Sequence, residues 1–115
     1  NVELRLITDF KSREYCQSVC TNQANYDLIV VDGRERVRCI KESIKCLSET
    51  GVVLLDDSNR ERYQEGIALL RGIGLSVLNF PGMKGGCKRL FRTSIYYKPA
   101  KNSLGIWSCI GVIVR

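Results

Sequence analysis

Residues 26–59, YDLIVVDGRERVRCIKESIKCLSETGVVLLDDSN, read as strand, helix, strand, and both strands end in acid. The first apolar run, Tyr26 to Val31, stops at Asp32-Gly33, and the second, Gly51 to Leu55, stops at Asp56-Asp57. Near-continuous apolar strands belong to parallel sheets covered on both faces, because helices leave no wet side toward which residues alternate. Binding sites in such sheets form at the carboxyl ends of the strands. Three carboxylates, Asp32, Asp56 and Asp57, are thereby expected on one edge of one sheet.

Working outward, residues 2–7 (VELRLI) alternate apolar and polar as an edge strand does, and Thr8-Asp9 end it. Ser12 is placed to cap a helix whose apolar positions Tyr15, Cys16, Val19 and Cys20 recur at one-turn spacing. The central helix is expected from Glu35 to Ser48, with Val37, Ile40, Ile44 and Leu47 as its apolar stripe and Gly51 as its terminator. Ser58-Asn59-Arg60-Glu61 matches a capping box opening a helix that turns Tyr63, Ile67 and Leu70 inward and stops at Gly72. Residues 75–80 and 90–97 read as strands joined by the glycine-rich turn 81–86. No helix separates them, so they are expected to be antiparallel neighbours, since a parallel crossover takes a dozen or more residues.

The 115 residues bound the chain to one domain. The division expected is a domain at 1–99 and an apolar tail at 100–115, in which the stretch 104–114 contains Trp107. That stretch is too short to span a bilayer, which takes about twenty residues. Net charge is +6, but the eighteen Lys and Arg are spread along the chain and read as a solvated surface, so a nucleic-acid role is not expected. Histidine is absent, which excludes His-based triads, and neither a GxxxxGK[ST] nor a GxGxxG motif occurs. Six cysteines without a CxxC pair give little support to a zinc site. They read as buried, reduced thiols of a cytoplasmic protein.

Clustered carboxylates raise one another's pKa unless a cation offsets the repulsion, and hard divalent cations such as magnesium take oxygens in this way. The competing reading is local: Asp32 caps a turn with Gly33, and Asp56 or Asp57 caps the next helix.

YDLIVVDG, a helix, GVVLLDDSNR, a helix, LSVLNFPG and RTSIYYK together resemble the carboxyl-terminal half of a class I S-adenosylmethionine-dependent methyltransferase. The resemblance implies an α/β fold, a three-layer Rossmann-like and mostly parallel sheet with a final antiparallel strand, truncated on its N-terminal side. It implies S-adenosylmethionine as cofactor, with Asp9, Asp32 and Gly33 on the cofactor side and Asp32 and Asp56 as catalytic residues. By analogy with the divalent-metal-dependent members, Asp32, Asp56 and Asp57 would hold magnesium, although Asp57 stands where those members carry Asn. The glycine-rich turn of that family is not in this sequence, so the chain reads as a fragment or truncated member, contributing the acceptor side of the cleft. Its partners would be a methyl acceptor and the N-terminal half of the same protein. The strand 26–31 would also be left with an open edge that residues 2–7 or a second copy could cover. Two other readings stand beside it. One is a non-catalytic α/β interaction module acting through its open edge and tail. The other is a phospho-acceptor receiver domain, suggested by YDLIVVDG and Lys98-Pro99 but lacking that family's acidic pair.

Overall fold

The structure, a computed structural model, describes residues 4–20, 25–86 and 88–100. Helix α1 (Arg13–Gln17) runs into a 3-10 turn at Ser18–Cys20 and precedes strand β1 (Tyr26–Val31). Helix α2 (Arg36–Ser43) continues as a 3-10 turn at Ile44–Cys46 and leads into β2 (Leu47–Leu55). A further 3-10 turn at Glu61–Tyr63 opens α3 (Gln64–Gly72), which is followed by β3 (Ser76–Met83) and β4 (Leu90–Tyr97). The Ser12 hydroxyl accepts from the Tyr15 amide, as its position ahead of the helix requires.

The four strands form one mixed sheet in the order β1-β2-β4-β3. β1 and β2 pair in parallel, and β4 pairs antiparallel with both β2 and β3. Three strands therefore point one way and the last is reversed. Because β4 is wedged between β2 and β3, only one of the three pairings is parallel, so the sheet is α/β and mixed rather than mostly parallel.

Register sorts the side chains into two faces. Ile29, Val53, Tyr96 and Val77 align across the sheet on one face. There they meet Ile40 of α2 and Ile67 and Leu70 of α3 in the core. Val30, Leu54, Ile95 and Leu78 align on the other face, with Leu28, Val52 and Tyr97 one row away. Leu28 and Val30 are each 56% exposed and Leu78 49%, because α2 and α3 both lie on the first face. Among the described residues the architecture is thus two layers, not the three expected.

Several local expectations are corrected. Residues 4–9 carry no strand, and β1 remains the outer strand of the sheet with no described strand on its far side. The helix expected over 35–48 ends at Ser43, and residues 47–50 belong to β2. Gly51 is accordingly a strand residue: a Cβ there would stand 2.7 Å from the Tyr26 carbonyl and 2.8 Å from Leu47 Cδ1. Backbone approach, not helix termination, demands glycine at that point. The capping box does not form, since Ser58 is fully buried and bonded to β4. β3 also runs through Pro81 to Met83, residues expected to lie in the turn.

Cys20 and Cys46 are joined by a disulfide between the two 3-10 turns, so the expectation of reduced thiols fails for this pair. Cys16 and Cys39 are free, with sulfurs 3.5 Å apart between α1 and α2. The tail expected at 100–115 lies, from residue 101 onward, outside the described residues, as does Cys87. No helix among the described residues is long and apolar enough to cross a membrane.

Candidate functional site

The parallel β1–β2 pairing brings both strands to the same edge, and the ladder continues one step further through the Asp56 amide donating to the Val31 carbonyl at 3.2 Å. Asp32 and Asp56 therefore leave the sheet side by side. Just beyond them lie Glu35 and Asp57, the two non-glycine residues with positive φ among the described residues, both at 50°. Such conformations cost free energy outside glycine, most cheaply for Asp, and surrounding contacts have to hold them in place.

Arg36 supplies much of that hold. Only 8% exposed, it donates from Nε to the Gly33 carbonyl at 2.9 Å and from one terminal nitrogen to both the Asp32 carbonyl and carboxylate at 3.1 Å. Its other terminal nitrogen donates to the Asp56 carbonyl. The guanidinium also lies over the Tyr63 ring, 5.1 Å from its centre. One buried cation thereby ties together the carboxyl ends of both parallel strands, using the fixed fork that distinguishes arginine from lysine.

The two acids after β2 are held by a different cation. Lys84 donates to Asp56 at 2.7 Å and to Asp57 at 3.0 Å, while its ammonium lies 4.9 Å from the centre of the Phe91 ring. Thr93 donates to the other Asp56 oxygen at 2.8 Å, and Arg60 to Asp57 at 2.5 Å. Burial pushes the Asp56 carboxyl up, but hydrogen bonds from Lys84, Thr93 and the Asp57 amide, together with the Lys84 charge, outweigh it and hold the group at about 2 against an ordinary 3.8. The same hydrogen bonds to Asp56 and then Asp57 raise Lys84. Behind this pair, Ser58 bonds Ser94 hydroxyl to hydroxyl at 2.5 Å and accepts from Arg92 Nε at 3.0 Å, pinning the turn to β4.

A cavity of about 780 Å³ opens beside Asp32 and is lined by residues of the 7–15 segment, the loop after β1, and Arg62. Its size falls within the range of small-molecule sites. Phe10 and Tyr15 supply its aromatic wall, with Arg34 stacked 4.6 Å over the Phe10 ring and its amide donating to the Tyr15 hydroxyl at 3.2 Å. Asp32, whose side chain is 63% exposed, and Gly33 stand at its rim.

Of the anticipated residues, Asp32 and Gly33 reach this cavity, whereas Asp56 and Asp57 are not among the residues lining it. Asp9 also falls outside it, since its carboxylate accepts from the Lys11 amide at 3.0 Å and its carbonyl from Ser12, closing the turn ahead of α1. No three carboxylates converge: among the described residues no group of three acids or cysteines is arranged to hold a metal ion. The donor set does not fit magnesium, because Arg36 takes the Asp32 carboxylate and the Lys84 ammonium occupies the place between Asp56 and Asp57. Sequence reasoning missed Tyr15 and Phe10 as cavity walls and Arg36 and Lys84 as counter-charges. Only Arg36, four residues after Asp32 at the start of a helix, carries a spacing that could have announced it.

Compared with known protein families and with curated proteins, the sequence matches none.

Proposed function

We propose that the chain forms the acceptor-side part of an S-adenosylmethionine-dependent methyltransferase cleft, centred on the cavity beside Asp32. The observation that carries this reading is the path of the sheet: parallel strands ending in Asp32 and Asp56, closed by a reversed last strand inserted between β2 and β3. Ligands of open α/β sheets bind outside the carboxyl ends of the strands, which is where the cavity lies. The donor, when bound, would supply an activated methyl group. Phe10 and Tyr15 would offer a flat apolar wall and Gly33 a close backbone approach. Asp32 would orient the acceptor and take its proton, since positioning and proton removal are what such a displacement asks of the protein. Asp56 acts at one remove, through the Arg36 and Lys84 contacts that fix the loop.

Amide chemical shifts during titration with S-adenosylhomocysteine test the reading. Gly33, Arg34 and Tyr15 are expected to move at ligand concentrations of about a millimolar, the range of weak binding. The glycine-rich motif with which that family grips the donor is not in this sequence, so tight binding is not expected of it. Shifts scattered over the surface, or none at these three residues, would sink the proposal.

The alternative, a non-catalytic interaction module, draws on the position of β1 as the outer strand. An exposed strand edge presents unpaired amides and carbonyls to a second strand. A stable dimer in size-exclusion chromatography, with no response to S-adenosylhomocysteine, would favour it.

A further inference from the structure

Helix α1 lies against α2, and Cys16 of the one meets Cys39 of the other. The Cys39 thiol donates to the Cys16 sulfur at 3.5 Å and reaches the Arg34 carbonyl at 3.7 Å. Bonded sulfurs stand about 2.05 Å apart, so a closing movement of about 1.5 Å would join this pair. The neighbouring chain is already fastened: Cys20, one turn beyond Cys16, is bonded to Cys46 in the 3-10 turn that continues α2. One crosslink thus holds the two helices where a second can form.

The two sulfurs differ in role. Cys39 is the donor and keeps its proton, since burial and then the Cys16 neighbour push its thiol up to about 12. Cys16 is the acceptor, and a donated hydrogen bond favours the charged form of the group that receives it. The thiolate, not the thiol, is the nucleophile. Cys16 and Cys39 both line a cavity of about 230 Å³, which shares Tyr15, Asp32, Gly33 and Arg34 with the larger one. That volume is below the range of drug-sized ligands and suits a reactant of few atoms. A hydroperoxide fits where a peptide disulfide does not.

We propose that Cys16 and Cys39 form a peroxide-reactive dithiol site, with Cys16 as the attacking and Cys39 as the resolving sulfur. The Cys16 sulfur attacks one oxygen of hydrogen peroxide, the O–O bond breaks, and the departing hydroxide takes the thiol proton and leaves as water. The sulfenic acid on Cys16 is then attacked by the Cys39 sulfur, whose proton departs with the sulfenic hydroxyl as a second water. Two electrons pass from the sulfurs to the peroxide oxygens, and the product is a Cys16–Cys39 disulfide. Closure removes the hydrogen that Cys39 offers to the Arg34 carbonyl, and the Arg34 amide is the donor to the Tyr15 hydroxyl at the larger cavity. Oxidation is thereby felt at the wall of that cavity, whether or not a methyl donor binds there.

Hydrogen peroxide added to the full chain at neutral pH is the probe, with remaining thiols then blocked in urea and the unreduced digest read by mass spectrometry. A Cys16–Cys39 bond is expected, assigned by fragmentation between Cys16 and Cys20. It is expected to form at least about tenfold faster than in the chain unfolded in urea, because the fold holds the two sulfurs together. In Cys39→Ser the sulfenic acid is expected to persist on Cys16 and to be trapped by dimedone, whereas in Cys16→Ser the Cys39 thiol is expected to stay reduced. The Arg34 amide resonance is expected to move when the unmodified chain is oxidised. Cys16 and Cys39 both left as thiols overturns the proposal, as does Cys39 joined to any other cysteine, or a bond that forms no faster in the native chain than in urea. A dimedone adduct on Cys39 of Cys16→Ser overturns the assignment of roles, and an unmoved Arg34 amide overturns the link to the cavity. If either serine variant loses its native circular dichroism, the rate comparison in the unmodified chain decides.

Discussion

The ammonium of Lys84 sits 2.7 Å from the Asp56 carboxylate, joining the loop after β3 to the end of β2 across 28 residues of sequence. It also reaches Asp57, so two adjacent acids share one cation. Removing it leaves those acids facing each other with Arg60 as the remaining counter-charge on Asp57. In Lys84→Ala the Asp56 titration is expected to climb from about 2 to its ordinary 3.8 or beyond, as read from the side-chain carboxyl carbon by nuclear magnetic resonance. Lys84→Arg is expected to keep it low. An Asp56 titration indifferent to both changes would mean that Lys84 does not hold this pair in solution.

Acid stability follows from the same group. Asp56 titrates lower in the folded chain than its ordinary 3.8, so the stabilisation it brings is complete above that value and is lost as pH falls toward about 2. Urea midpoints measured from pH 5 down to about 2 are expected to drop across this window, with a shallower drop in Asp56→Asn. Lys84 titrates higher than usual, so its contribution runs the other way, present below its ordinary 10.5 and lost on strongly alkaline titration. Identical profiles for the unmodified chain and Asp56→Asn would contradict the assignment.

Gly51 tests the close packing of β1 on β2. Any Cβ there meets the Tyr26 carbonyl at 2.7 Å, and backbone cannot step aside as a side chain can. Gly51→Ala is expected to cost about 1–3 kcal/mol in chemical denaturation, the usual range for overpacking. Gly72, at the end of α3, has nothing within 4 Å of the corresponding position. Gly72→Ala is expected to be neutral or to stabilise by up to about 1 kcal/mol, since alanine is the better helix former. Equal effects at both sites would discount the clash.

The two cysteine pairs predict opposite chemistry. The Cys20–Cys46 bond closes a separation of 26 residues, and its loss in Cys20→Ala is expected to cost about 3 kcal/mol. Cys39 is instead a free thiol pushed up to about 12, by burial first and then by its Cys16 neighbour. Only the thiolate is nucleophilic, so alkylation of the native chain at neutral pH is expected to spare Cys39 and to modify it after unfolding. Mass spectrometry distinguishes the outcomes. A native Cys39 that alkylates as fast as an unfolded one would place it at the surface.

How much of this was legible depended on whether the deciding force was local. β1 and β4 occupy the anticipated residues 26–31 and 90–97, and the 3-10 turn and α3 turn Tyr63, Ile67 and Leu70 inward, because apolar periodicity and flanking glycines act over a few residues. Residues 47–50 were misassigned to a helix end because Leu47 fits the helical stripe, while pairing with Tyr26 draws it into β2. Ser58 satisfies the capping pattern equally well, yet Arg92 and Ser94, more than thirty residues away, claim its hydroxyl. At the site, sequence order correctly brought Asp32 and Asp56 to one edge. The cations that occupy them are Arg36 on Asp32, four residues on, and Lys84 on Asp56, from a loop whose approach no local pattern encodes.

The insertion of β4 between β2 and β3 also dictates an order of events during synthesis. β2 follows its parallel partner β1 closely in the chain, but β3 has no sheet partner until residues through Tyr97 have emerged, because its one neighbour among the described residues is β4. β3 can therefore join the sheet of β1 and β2 only once β4 is available to pair with both β2 and β3. Non-local pairing of this kind slows folding and prolongs the exposure of unpaired edges. A chain that ends ahead of residue 90 holds no described strand that could link β3 to β1 and β2.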